Sequence, residues 1–108
     1  PDSNEDLNLF VEEITQNVID NEDFCLEYAY YVTEDKTSVT LYEKYIDSKS
    51  AVKHGQNFMG SPFFERFFNL FTLEKFIVTG PASEEFKNFT KENGFVIEYR
   101  NSVDGFLR

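Results

Sequence analysis

From Leu7 the apolar positions fall at Leu7, Phe10, Val11, Ile14 and Val18, a three-and-four spacing that gathers them on one helical face and leaves acids on the other. The polar run Asp20-Asn21-Glu22-Asp23 is predicted to end that helix. The period then changes to two. Between Phe24 and Val32 one face collects Phe24, Leu26, Tyr28, Tyr30 and Val32, and the other Cys25, Glu27, Ala29 and Tyr31, which is the alternation of a strand. Thr33-Glu34-Asp35-Lys36 suits a hairpin loop leading into a second strand, with Val39, Leu41 and Tyr45 opposite Thr40, Tyr42 and Lys44. Asp47 can accept from the free amides of a first turn and so caps the next helix, where Ala51, His54 and Phe58 share a face. Gly60 breaks it. Ser61-Pro62 opens another helix, with a capping hydroxyl and a proline where no donor is needed, and Phe64, Phe67, Phe68 and Phe71 form its apolar stripe. Leu73 to Thr79 is a further strand candidate, stopped by Gly80-Pro81. Ser83 caps a last helix carrying Phe86, Phe89 and Thr90, Gly94 suits its C-terminal cap, and Phe95 to Tyr99 alternates as a final strand.

Helix, strand, strand, helix pair, strand, helix, strand is the order of an α+β domain, with helices on one face of a largely antiparallel sheet. At 108 residues the chain makes one domain, near the lower end of what buries an adequate core alone. Thirteen Phe and six Tyr are more aromatic surface than such a core absorbs, which points to a pocket or a subunit contact. A net charge of −10 with no basic stripe argues against nucleic acid and against an anionic membrane. The single cysteine, Cys25, excludes an internal disulfide, and no apolar run is long enough to span a bilayer. A soluble cytoplasmic protein is the expectation.

The central stretch carries Tyr42, Glu43, Tyr45, Asp47, Ala51 and His54 as Y-E-x-Y-x-D-x-x-x-A-x-x-x-H, followed by Ser61, Pro62, Phe64 and Phe67 as S-P-x-F-x-x-F. This pattern resembles the antibiotic biosynthesis monooxygenase-like family. The resemblance implies a ferredoxin-like antiparallel sheet with helices on one face, paired with a second copy into a dimeric α+β barrel. A ferredoxin-like unit needs a strand before the first helix, and the family supplies one ending in a turn that often contains proline. Pro1 stands where that turn would be, so the chain is expected to begin just after the first strand; Phe95 to Tyr99 filling the vacant place is the other possibility. The helix from Ser83, its following strand and the terminal Gly105-Phe106-Leu107-Arg108 resemble a C-terminal extension of some members, covering about 81–108 of a single domain over 1–108.

His54 is the only histidine and the only side chain that titrates near neutrality without help. By the resemblance it lines a cavity between sheet and helices, where it would bond a substrate oxygen or move a proton; otherwise it ties helix to sheet through a backbone carbonyl. Tyr28, Tyr30 and Tyr42, on neighbouring strands, would wall such a cavity if they face the helices, with Phe58 and Phe67 closing it; facing outward, the tyrosines would cover a dimer contact. Glu43 is either a base or an ion-paired surface group. Cys25 has no positive neighbour and suits inert packing. One histidine and one cysteine do not supply a usual zinc site, and the acids are scattered, so no metal is expected. No phosphate loop, nucleotide fingerprint or nucleophile elbow is present. The family's haem-degrading branch uses a pocket tryptophan that this chain lacks, so no cofactor is expected either. What the resemblance implies is a homodimeric, cofactor-independent monooxygenase acting on a small aromatic or quinol-like metabolite. A non-catalytic dimer that binds a small apolar ligand or only itself is the alternative.

Overall fold

The structure, a computed structural model, describes residues 6–108. The turn expected at Pro1 lies outside them. Helix α1 (Leu7–Asn21) starts where the Asp6 carboxylate accepts from the amides of Asn8 and Leu9 at 2.8 and 3.3 Å. It buries Phe10, Ile14 and Val18, one stripe of the predicted face. Strands β1 (Cys25–Val32) and β2 (Val39–Tyr45) pair antiparallel through the expected hairpin. Asp47 caps α2 (Ser48–Met59) by accepting from Ser50 N at 2.8 Å. Ser61 Oγ accepts from Phe63 N at the start of α3 (Phe63–Leu70).

The core forms where α1 and α3 meet the inner face of the hairpin. Phe10, Ile14 and Leu70 are buried at its centre, and Tyr28, Tyr30, Phe58, Phe63, Phe67 and Phe71 pack around them. The Phe10 ring lies 6.3, 6.3 and 6.1 Å from those of Phe63, Phe67 and Phe71. Two side-chain placements differ from the expectation. On α3 and its C-cap the side chains that meet Phe10 are Phe63, Phe67, Leu70 and Phe71, so Phe67 and Phe71 of the expected stripe face the core, while Phe64 and Phe68 turn to the margin and contact Phe58. Spacings of four and three serve either stripe equally, and packing against α1 selects this one. On β1 the ladder slips between Cys25 and Glu27, so that Leu26 is an unpaired bulge residue. The extra residue shifts the alternation locally: Leu26 is exposed and Cys25 stands opposite Tyr45 on the inner side, while Phe24 is buried as expected.

The remaining chain makes a second, smaller ribbon. Strands β3 (Ile77–Thr79) and β4 (Glu98–Arg100) pair in parallel, joined through α4 (Glu84–Glu92). The architecture is α+β as expected, but the described strands form two separate two-stranded sheets, one antiparallel and one parallel. Gly80 and Gly94, with φ of +91° and +80°, make the turns that end β3 and α4. Ser83 caps α4 on Phe86 N, and Phe86 and Thr90 are its buried residues. Helix α4 lies on α2, where Gly55 lets the Phe89 ring approach the backbone; a Cβ at position 55 would fall 2.6 Å from that ring. Among the described residues no helix is long and apolar enough to cross a membrane.

Candidate functional site

Three elements converge on His54. The first is the end of α1, where Glu22 is fixed on both sides of its backbone: its amide donates to Val18 O at 2.9 Å and its carbonyl accepts from Cys25 N at 3.1 Å. This turns the Glu22 side chain inward, to 2 % exposure. The second is β2, whose alternation puts Glu43 and Tyr45 together on the inner face, with the Tyr45 hydroxyl donating to Glu43 Oε1. The third is α2, which carries His54 one turn before Phe58. His54 Nδ1 lies 2.6 Å from Glu22 Oε1, and Nε2 lies 3.0 Å from Glu43 Oε1. Both ring nitrogens therefore face carboxylates. The ring stacks on Phe58 at 6.2 Å and meets Tyr45 and Tyr28 at 5.2 and 6.1 Å.

The electrostatics follow from this geometry. Burial is the largest single influence on His54 and lowers its pKa, but Glu43 and then Glu22 together outweigh it and hold the imidazole above its ordinary 6.5. Tyr28 and Tyr30 share a hydrogen bond between their hydroxyls at 2.8 Å. Burial pushes all three inner tyrosines well above the usual phenol range; Tyr30 raises Tyr28 further, and the Glu43 charge raises Tyr45. They act as hydrogen-bonding groups that keep their protons. Burial, with the Glu43 charge, also raises the Cys25 thiol, which stays an unreactive donor to Glu27 O at 3.3 Å.

Of the residues singled out in the sequence, His54, Tyr28, Tyr30, Phe58 and Phe67 come together between hairpin and helices. Tyr42 does not: it pairs with Ala29 and points to the outer face of the ribbon, 46 % exposed. Beside the imidazole, between Val18, Glu22 and Phe58, is a space of about 10 Å³, room for roughly one water. A larger open cleft of about 440 Å³ runs between Leu73–Phe76 and Gly94–Glu98, and none of these site residues line it. Nor do three or more His, Cys, Asp or Glu side chains converge as metal ligands among the described residues.

Two site residues escaped the sequence reading. Tyr45 shares a strand face with Glu43 by simple alternation, so its place was within reach. Glu22 is one of four polar residues in a helix-ending run, and nothing in its spelling separates it from Asp20 or Asp23. Compared with models of known protein families, with curated proteins and with solved structures, the chain matches none of them.

Proposed function

We propose that the chain is a cofactor-independent oxygenase of the antibiotic biosynthesis monooxygenase type, acting on a small electron-rich aromatic such as a quinol. The His54 cluster would manage the proton that leaves the substrate hydroxyl before dioxygen reacts with it directly. One observation carries this reading: the only histidine has a carboxylate on each ring nitrogen, and one of these, Glu22, is almost fully buried. A side chain that merely held α2 to the sheet would need a single partner. A second carboxylate in a desolvated place costs several kcal/mol before pairing, and electrostatics arranged against stability is typical of groups that handle protons. Tyr28 and Tyr30 add a wall that is apolar in body and hydrogen-bonding at its tip. In this reading the α+β unit is the ferredoxin-like half of a dimeric barrel in the cytoplasm. Leu26, Tyr31 and Tyr42, exposed on the outer side of β1 and β2, meet their counterparts in a second copy.

A second reading is favoured by the small free volume at the imidazole: a non-catalytic, self-associating domain in which the cluster is purely structural. Oxygen consumption with a panel of quinols separates the two. The expected result is uptake by the native chain, lowered about 100-fold in His54→Gln, the usual scale for a lost proton-transfer group. No uptake across the panel, with the native dimer intact, would leave only the self-associating domain.

A further inference from the structure

Building on the proton-transfer reading, we propose that Glu43 takes the substrate's proton, that His54 is a positioning residue, and that the substrate hydroxyl belongs to a neutral molecule. The geometry argues this in three steps. First, both His54 nitrogens face carboxylate oxygens, at 2.6 and 3.0 Å, so neither offers a lone pair to an incoming hydroxyl. Second, the two carboxylates differ in access: the Glu22 side chain is 2 % exposed and that of Glu43 is 27 % exposed. Third, the contacts from His54 and Tyr45 both fall on Glu43 Oε1, which leaves Oε2 as the oxygen that neither engages.

In the step so described, the substrate O–H bond breaks, its electron pair stays on the phenolate oxygen, and the proton forms a new O–H bond on Glu43 Oε2. Dioxygen is then the oxidant of the phenolate. Glu22 at the end of α1 holds the imidazole, the imidazole and the Tyr45 hydroxyl hold Glu43, and Tyr28, Tyr30 and Cys25 from β1 are the further titratable groups facing the cluster. Two carboxylates and one imidazolium leave one negative charge at the site of a chain whose net charge is −10. An anionic substrate, such as a carboxylate or a phosphate ester, would be repelled; a neutral phenol or quinol would not.

Two measurements on the 108-residue chain test the assignment. In protein labelled with ¹⁵N-histidine, the expected NMR signature at pH 7 is a ring protonated on both nitrogens; a neutral tautomer would overturn it. With 1,4-naphthohydroquinone as probe and the enzyme-free rate subtracted, Glu43→Gln should lower oxygen uptake at least 100-fold and Glu43→Asp should recover part of it. Native uptake should not rise as pH passes through the His54 pKa. A rise there, or a Glu43→Gln variant as active as the native chain, would make His54 the base and overturn the proposal. No uptake by the native chain sinks the oxygenase reading itself, whereas a neutral imidazole with uptake intact sinks only the choice of base.

Discussion

Glu22 occupies a place where the chain's electrostatics work against it. It follows the last turn of α1, where the helix dipole disfavours an anion, and it is buried among groups that do not hydrate it. His54 Nδ1 is what makes the position tenable. Replacing His54 with Gln leaves a buried carboxylate without its cation, and a loss of about 3 kcal/mol is expected at pH 6 by chemical denaturation. The pH dependence carries the sign of the pair. Because the folded-state pKa of His54 is raised above its ordinary value, its contribution is fully present below pH 6.5 and is lost as pH rises through the folded value. Native stability should therefore decline across that window while His54→Gln stays level. A native curve that is flat there would mean the imidazole is neutral in the fold.

At the scale of elements, the contact between α2 and α4 depends on the missing side chain of Gly55. Alanine would ordinarily favour a helix by about 1 kcal/mol, but its Cβ would meet the Phe89 ring at 2.6 Å, so the ring must leave its place against α2. Gly55→Ala is expected to lower the melting temperature by several degrees, and Phe89→Leu in the same chain to restore it. Destabilisation that survives the double change would place the strain elsewhere. The helices were legible from the sequence because their caps are local chemistry: Asp47 and Ser83 each accept from an amide three residues away, whatever the tertiary context. Strand content was legible in β1 and β2, where alternation is long. It failed over Leu73 to Phe76 and Phe95 to Ile97, which alternate equally well but have no partner strand beside them; pairing is a long-range property that a short apolar run does not encode. The site was half legible for the same reason. Glu43 and His54 lie within twelve residues on strongly patterned elements, whereas Glu22 reaches His54 across 32 positions of chain.

For the whole molecule, the core is small: Phe10, Ile14, Val18, Phe24, Val52, Leu70 and Phe86 are the buried apolar side chains among the described residues. Tyr31 and Tyr42 meanwhile stand exposed on the outer face of the first ribbon. If a second copy covers that face, as proposed, Tyr31→Glu should convert a dimer to a monomer in light scattering and lower its stability together with its mass. A native chain that is monomeric and fully stable at micromolar concentration would refute the dimer. The bulge at Leu26 bears on the molecule at this same scale, as a matter of parity. Between Cys25 and Tyr28, both on the inner side, the chain contains one residue more than strict alternation allows, and that residue is discarded to solvent. Draw it into a regular ladder opposite Tyr45, and the phase changes at Cys25, which turns outward and carries with it Glu22, tethered through its carbonyl to the Cys25 amide, away from His54. The hairpin would survive that shift and the Glu22–His54 contact would not. The bulge thus sets the phase in which the chain enters the hairpin, so a chain of the same length with a regular ladder here could keep this fold and lose the Glu22–His54 pair.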